Sequence, residues 1–405
     1  MLIKRIRFLG PILTVSTVFA CGEDNTQRIA SLPGVPEPVD VASIVAVIGM
    51  VDGPEEYVFG DISSIAVDAE RNVYVTDLQG PSIRAYDENG DFLRVVGRSG
   101  QGPGEYSRPT HMAVSPEGGL YIRDNHRLTV LTKPEDDSLV WADVESSWQH
   151  GWPSAWREAR SRVDSLGRYF DPRSLVYVDG QDPKYFYVIG DSAYSDTLSV
   201  PLYRNLGNKS FAGYLVGSGS GRVTAGLSHA PFEAVPAWDV TPKGTLIGGE
   251  GDQYILYETT AEGDTVGVIH GVRRRRAVPA DERADSAAAF DERIEALPVA
   301  VNELFGASDM VIGGELPDTL PAFIAVDVTR DGDIWVELWP RQAGTQLFDI
   351  YTSTGEFRRS VEFPLAFDRS LGKIVPAHFD DSVVVGVIRD PATDVQQVAI
   401  LRLPE

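Results

Sequence analysis

Oxygen and nitrogen ligands that could hold a metal ion are scattered along the sequence. Calcium takes about six to eight hard oxygens, and the candidate ligands are Asp77, Asp124, Asn125, Glu250 and Glu337. Zinc needs about three convergent ligands, and histidines stand at positions 111, 126, 150, 229, 270 and 378. Asp77 and Asp124 recur at one position of two similar segments, which favours carboxylates that cap turns. We therefore predict no catalytic residue and no required cofactor, and leave calcium open.

Two clusters of side chains could bind a ligand. The segment 140–160 holds four tryptophans, with His150 and Arg157 among them, and aromatic faces stack on sugars and guanidinium groups. Large aromatic side chains more often fill a core, and we favour that interpretation. The basic run Arg273–Arg276 is interpreted as a solvated linker, with docking of an anionic partner as the alternative.

Cys21 is the only cysteine, and its position indicates modification. The cations Lys4, Arg5 and Arg7 precede the apolar run 8–20, which has the length of a signal peptide and is too short to span a bilayer. The sequence VFACG at 18–22 resembles a bacterial lipobox, in which the cysteine receives diacylglycerol. We predict a signal peptide over 1–20 and lipidation of Cys21.

The residues after Cys21 predict a tethered protein of the cell envelope. Residues 21–40 are polar and contain several prolines, as a flexible tether does. Acyl chains anchor a protein stably when more than one is attached. The residue after the cysteine is Gly22 and not an aspartate. In bacteria with two membranes, this resembles lipoproteins that are sent on to the outer membrane. We expect an exported, lipid-anchored protein at the outer membrane or on the periplasmic face.

The charge of the chain limits its partners. The formal net charge is −23, and loss of the first 20 residues would make the chain more acidic still. Such a surface repels phosphate backbones and anionic headgroups. We expect no nucleic acid and no membrane contact apart from the lipid anchor.

Short strands separated by turn residues run through most of the sequence. Residues 60–97 contain four apolar segments in about forty residues, and Asn89-Gly90 between two of them is a strong hairpin signal. Residues 108–132 repeat the pattern, and weaker units follow at 173–203, 236–271, 323–363 and 373–403. A four-stranded antiparallel unit that recurs at this period is typical of a β-propeller.

The two strong units resemble NHL-type repeats. The match covers residues 60–132, including the Gly-rich link 97–106 between the units. Six-bladed propeller lipoproteins of uncharacterised function resemble the chain as a whole and carry a comparable helix. Resemblance to amidating lyases implies histidines that bind metal at blade entrances, with His111 and His378 as candidates. Resemblance to lactonases implies calcium in the channel.

We predict an all-β fold, a six-bladed β-propeller, with seven blades as the alternative if 133–172 hides one. A short helical insertion is expected around 279–305, where Ala287, Phe290, Ile294 and Leu297 make one apolar stripe. The propeller is expected to span 41–405. The segment 43–49 should supply the missing strand of the last blade, because closure by the N-terminus protects the sheet edges.

The predicted function is that of a binding scaffold for a protein, peptide or glycan, acting as a monomer. The alternative is a calcium- or zinc-dependent propeller hydrolase or lyase. Ligands fit the mouth of a propeller channel and its loops. The ligand-binding candidates placed there are His111, Arg123, Trp238, Trp335 and Glu337.

Overall fold

The structure is a computed structural model. It describes residues 39–80, 82–102, 104–115, 117–124, 127–131, 139–143, 162–175, 184–190, 196–199, 211–217, 223–229, 231–295, 316–339, 343–368 and 377–404. Cys21 and the tryptophans at 148, 152 and 156 lie outside these residues. No helix in the described part of the chain is long and apolar enough to cross a membrane.

The strands form six sheets of four or five strands within the described residues. The N-terminal strands are β1 (Val39–Val41) and β2 (Ser43–Ile48), followed by a 3₁₀ turn at Glu55–Tyr57. Blade one consists of β3 (Ile62–Val67), β4 (Val73–Asp77), β5 (Ser82–Tyr86) and β6 (Phe92–Val96). The short strands β7 (Arg98–Ser99) and β8 (Glu105–Tyr106) pair in parallel. Blade two consists of β9 (Pro109–Val114), β10 (Leu120–Asp124), β11 (Arg127–Leu131) and β12 (Leu139–Asp143). Blade three consists of β13 (Arg162–Val163), β14 (Tyr169–Leu175), β15 (Lys184–Gly190) and β16 (Asp196–Ser199).

The second half of the chain repeats this plan with two insertions. A hairpin of β17 (Phe211–Gly217) and β18 (Val223–His229) precedes blade four. Blade four consists of β19 (Ala237–Val240), β20 (Leu246–Gly249), β21 (Ile255–Thr259) and β22 (Thr265–His270). The helix α1 (Ala280–Glu295) follows. Blade five consists of β23 (Ala325–Val328), β24 (Ile334–Leu338), β25 (Gln346–Tyr351) and β26 (Phe357–Phe363). Blade six consists of β27 (His378–Phe379), β28 (Val383–Arg389) and β29 (Gln396–Arg402), with β2 as its fourth strand.

The N-terminal segment joins the two last blades. β2 pairs antiparallel with β29, with Val47 opposite Ala399, and completes blade six. β1 pairs in parallel with β26 and adds a fifth strand to blade five. Val39 and Asp40, the last two residues of the segment expected to be a tether, therefore belong to a strand of blade five.

Neighbouring blades share apolar layers, because alternate side chains of a strand point to opposite faces. In β24, Ile334 and Val336 face blade four, whereas Trp335 faces blade six. An equivalent layer joins blade six to blade one around Ile62 and Ile400. Another joins blade one to blade two around Leu120, and a third joins blade two to blade three around Tyr169. Blade three meets blade four through polar contacts, including Ser165 N–H donating to Pro242 O at 2.8 Å. The six sheets thus make one closed ring.

The predictions of an all-β fold, six blades and a helical insertion are confirmed. The segment 133–172 holds no seventh blade among the described residues. It supplies β12 to blade two and β13 and the start of β14 to blade three. The helix is described over Ala280–Glu295 and packs Ala287 against a small cluster that contains Phe232, Leu316 and Leu320. Residues 296–305 and the side chains of Phe290 and Ile294 lie outside the described part.

Candidate functional site

A half-open cavity of about 80 Å³ lies on the axis of the ring. We call the first strand of each blade its inner strand, namely β3, β9, β13, β19, β23 and β27. Residues from all six inner strands line the cavity. It lies at the end of the channel where these strands run into the turns that follow them, because Thr241, Pro242, Thr329 and Arg330 belong to its wall.

The wall of this cavity is mostly aliphatic. Five of the six inner strands end in valine, and all five valines line the cavity: Val67, Val114, Val163, Val240 and Val328. The sixth inner strand contributes His378 and Phe379. This ring of five valines follows from the repeat, because the same strand position of each blade meets the same space on the axis.

The turns after the inner strands are fixed by one recurring hydrogen bond. In blade one the Asp68 carboxylate accepts from Asn72 N–H at 2.8 Å, four residues on. Ser115, Asp164, Thr241 and Thr329 do the same for the residue four positions later in blades two to five. Each side chain thereby satisfies the backbone donor of the residue that closes the turn. The rim of the cavity is therefore held rigidly by local bonds.

Asp239 connects three blades directly behind the cavity wall. Its buried carboxylate accepts from Arg162 Nε of blade three at 3.0 and 3.2 Å, and Arg162 Nη2 makes a further close contact with it. It also accepts from Val328 N–H of blade five at 2.8 Å. Because the two Arg162 nitrogens engage both carboxylate oxygens, the guanidinium is fixed in orientation beside the cavity.

Arg330 reaches across the ring at the mouth of the cavity. It stands in the turn between β23 and β24, and its Nη2 donates to the Val67 carbonyl oxygen of blade one at 3.3 Å. Blade six lies between blades five and one, and its inner strand β27 has only two residues.

The ligand-binding residues predicted from the sequence do not line this cavity. His111 and Arg123 stand opposite each other on β9 and β10. His111 is half-buried with Nδ1 at 3.1 Å from Thr110 Oγ1, and Arg123 is buried. Trp238, half-buried on β19, lies against Gly248, where a Cβ would meet its Cα at 2.7 Å.

Two of the predicted residues are inside the protein, and placing them at the channel mouth was wrong. Trp335 is completely buried between blades five and six, with ring centroids 5.0 Å from Phe379 and 5.7 Å from Phe348. Glu337 is 2% exposed, and its Oε1 accepts from Gln346 Nε2 at 2.9 Å. Both side chains point to the same face of β24. They face the neighbouring blade and offer no surface to a ligand.

The recurring carboxylates at the ends of the second strands bind backbone. Asp77 accepts from the N–H groups of Gly60, Asp61 and Gln79, each at 3.0 Å. Asp124 accepts from Ser107 N–H at 3.0 Å and from Arg108 N–H. The bond to Gln79 is the Asx turn expected from the sequence, whereas the others hold the segment that leads into the inner strand. Among the described residues, no three His, Cys, Asp or Glu side chains come close enough to hold a metal ion.

The basic run Arg273–Arg276 is only partly a solvated linker, because Arg273 is half-buried, whereas Arg274, Arg275 and Arg276 are exposed. Arg273 Nε donates to both oxygens of Asp349 at 3.0 Å, and its Nη2 donates to Ser360 Oγ at 2.7 Å. Arg275 donates to the Leu320 carbonyl oxygen and Arg276 to that of Trp339. The run therefore fastens the strand leaving blade four onto blade five and its approach segment.

Arg162 and Arg330 are the charged residues of the cavity wall that sequence reasoning missed. Their signal was local: Arg330 stands in the turn sequence Thr-Arg-Asp-Gly-Asp at 329–333, directly after an inner strand that ends in valine. Aligning the five units whose inner strands end in valine would have put both arginines near the axis. His378, named only as a possible second metal ligand, lines the same cavity.

Fold and cavity together define this chain as a six-bladed β-propeller with a small, mostly aliphatic cavity on its axis. In sequence, the model of a family described as a six-bladed β-propeller matches residues 40–132. This segment includes both strong repeats. No curated protein matches the chain.

Several solved structures are similar to the chain. One is a protein from Bacteroides fragilis described as exported, with 12% identity and a TM-score of 0.45 over 94% of this chain and 100% of that chain. A virginiamycin B lyase from Staphylococcus aureus has 12% identity and a TM-score of 0.38, covering 85% and 95%. A calcium-binding protein, regucalcin, from Agrobacterium tumefaciens has 10% identity and a TM-score of 0.36, covering 93% and 96%. At these values the similarities carry no argument about activity.

Proposed function

We propose that this protein is an exported, lipid-anchored binding scaffold that recognises a protein, peptide or glycan through the face where the axial cavity opens. The observation that carries the proposal is the cavity itself, which six inner strands line and five capped turns hold rigid. A rigid concavity lowers the entropy cost of binding. Its chemistry is that of recognition: aliphatic walls with a few fixed polar groups.

The size of the cavity limits what enters it. Cavities that enclose a whole drug-sized ligand measure roughly 300–1,000 Å³, whereas this one measures about 80 Å³. A single side chain, a chain terminus or one substituent of a sugar fits such a space. The larger part of the ligand then rests on the surrounding turns.

A binding assay with a cavity-filling variant tests the scaffold proposal. Val114 lines the cavity and is half-buried, so Val114→Trp fills the space from blade two. The matched control is Val95→Trp on β6, where the side chain is half exposed. We expect the purified full chain to bind members of a peptide or glycan array, Val114→Trp to lose that binding, and Val95→Trp to keep it.

Two results would contradict the proposal. Turnover of a lactone, ester or amide substrate that depends on an added divalent metal would favour the enzyme alternative. Equal binding by both tryptophan variants, with unfolding temperatures near that of the parent, would place recognition away from the cavity.

The anchor is tested separately. The supporting observation is the single cysteine at the end of the apolar segment 8–20. We expect Cys21→Ser to move the protein from the membrane fraction to the soluble fraction of the envelope. Retention of the Cys21→Ser protein in membranes would contradict lipidation and leave the scaffold proposal untouched.

A further inference from the structure

We propose that the axial cavity binds a carboxylate group carried on a short apolar segment. This inference rests on the proposed binding function and names the chemistry of its ligand. It follows from the charge of the wall, from the way its two arginines are held, and from the size of the space.

The charge of the wall is opposite to that of the molecule. The net charge of the chain is −23, yet the residues that line the cavity include Arg162, Arg330 and His378 and no aspartate or glutamate. The Asp239 carboxylate next to the wall pairs with Arg162, so the unbalanced positive charge of the wall is that of Arg330, and it attracts anions in an otherwise acidic chain.

The two arginines are held differently. The Arg162 charge is balanced by Asp239, which accepts from its Nε and its Nη2. Arg330 makes one hydrogen bond, to the Val67 carbonyl oxygen at 3.3 Å, and no ion pair with a carboxylate in the described part of the chain. Its remaining N–H donors suit the parallel hydrogen bonds that a carboxylate accepts from a guanidinium.

The surroundings of Arg330 favour a monoanion with an apolar body. The cost of removing an ion from water rises steeply with its charge, and only one guanidinium of the wall is unbalanced. A phosphate dianion is therefore disfavoured. The five valines that complete the wall, Val67 among them, suit a few methylene or methyl groups beside the carboxylate.

Two sources can supply this group: a free short-chain acid, or the C-terminus of a peptide that ends in a small apolar residue. Both place a carboxylate next to a short aliphatic segment. The cavity would bind the carboxylate of either source in the same way. The two sources differ at the rim, because only a peptide extends out of the cavity past the Arg330 side chain.

Binding to small probes tests the inference on the purified full chain. The probes are butyrate, butylamine, inorganic phosphate, and trialanine with either a free or an amidated C-terminus, each measured by calorimetry and by the shift of the unfolding temperature. We expect butyrate or free-acid trialanine to bind with a dissociation constant of about 1 mM or tighter. Butylamine, phosphate and the amidated peptide should bind at least tenfold more weakly. Free-acid trialanine binding more tightly than butyrate would identify the peptide terminus as the source.

Variants at Arg330 give the decisive comparison. Arg330→Gln removes the charge and should weaken carboxylate binding at least tenfold, whereas Arg330→Lys should recover part of it. The exposed Arg402 on β29 is the matched control, and Arg402→Gln should bind as the parent does.

The inference is overturned if phosphate or butylamine binds as well as butyrate, if Arg330→Gln binds like the parent, or if no carboxylate binds. Array binding that is lost in Val114→Trp without any affinity for carboxylates would keep the scaffold proposal and reject this one. Should Arg330→Gln fail to fold, Arg330→Lys and the panel of probes on the parent protein still decide the question.

Discussion

At the scale of single residues, Asp239 shows how a buried charge can hold a ring together. Its carboxylate is 2% exposed and binds Arg162 of blade three and the backbone of Val328 of blade five. Blades three and four meet through polar contacts. The hydrogen bonds of this carboxylate therefore hold these two blades together, as aliphatic layers do between other blades. A buried acceptor with several donors is costly to remove, because each donor is left without its partner.

We expect Asp239→Ala to lower the free energy of unfolding by about 3 kcal/mol, the lower end of the range for breaking a buried ion pair, since the Arg162 side chain is partly exposed. Urea unfolding followed by tryptophan fluorescence measures the change. The control is Asp318→Ala, because the Asp318 side chain is 84% exposed in its pair with Arg283 and such pairs contribute about 0–1 kcal/mol. Equal losses in both variants would contradict the role of Asp239.

The ionised Glu105 carboxylate holds the loop between β7 and β8 in place. Its carboxylate accepts from Gly102 N–H at 2.9 Å and from Arg98 Nε at 2.8 Å. The Gly102 bond, followed by the Arg98 bond, lowers the pKa of this carboxyl. A lowered acid pKa means that the stabilisation is present above the unfolded pKa and is lost as pH falls through the folded one.

An NMR titration of the Glu105 side-chain carboxyl carbon should therefore give a midpoint below that of an ordinary glutamate. The amides of Gln101 and Gly102 should shift with the same midpoint. In Arg98→Gln the midpoint should rise only in part, because the Gly102 bond is the larger cause. A midpoint in the ordinary range in the parent protein would show that the loop is not held in this way.

At the scale of elements, the turns after the inner strands carry the most repetitive chemistry of the fold. Thr329 Oγ1 accepts from Asp333 N–H at 3.0 Å, and this donor is buried. We expect Thr329→Val to destabilise the protein by about 1–2 kcal/mol, because the N–H loses its acceptor at nearly constant side-chain volume. Thr329→Ser keeps the hydroxyl and should lose less than half as much. Chemical unfolding of the two variants side by side measures the difference, and an equal loss would show that the hydroxyl bond contributes no more than the packing of the methyl group.

Elements with strong local signals could be predicted from the sequence, and those defined by the ring could not. The Asn89-Gly90 hairpin forms as expected, with Gly90 at φ +86° and Asp87 accepting from Asn89 and Asp91 N–H. By contrast, β13 and β27 have two residues each. A strand of two residues shows no periodic pattern of apolar and polar residues in the sequence. It forms because the neighbouring blades hold it at the axis.

The candidate site was predicted less well than the fold for a related reason. Trp335 and Glu337 lie two residues apart on β24, so they share one face of the strand. They were predicted at the channel mouth, but that face meets blade six. Which of two faces of a buried strand meets the axis depends on the orientation of the blade in the ring. Arg330 reaches blade one from blade five, a contact between residues far apart in sequence.

At the scale of the whole molecule, stability depends on closing the ring. Ile62 N–H of blade one donates to Gln396 Oε1 of blade six at 2.8 Å, and β2 covers one edge of β29. The layer between blades six and one contains Ile48 together with Val398 and Ile400. An open propeller would expose this layer and the backbone edge of β29, which is a surface prone to pair with other chains.

Truncation at two points tests how far the whole ring depends on the N-terminal strands. A chain that begins at Val39 keeps β1 and β2 and should unfold in a single transition at the temperature of the longer protein. A chain that begins at Gly49 lacks both strands, and Ile48, nearly fully buried in the parent, no longer covers Val398. Burying such a side chain contributes about 1.5–3 kcal/mol, and the unpaired edge of β29 adds lost hydrogen bonds. We expect the shorter chain to unfold at a clearly lower temperature and to elute as aggregates in size-exclusion chromatography. A monomeric chain from Gly49 with an unchanged transition would mean that the ring closes without its N-terminal strands.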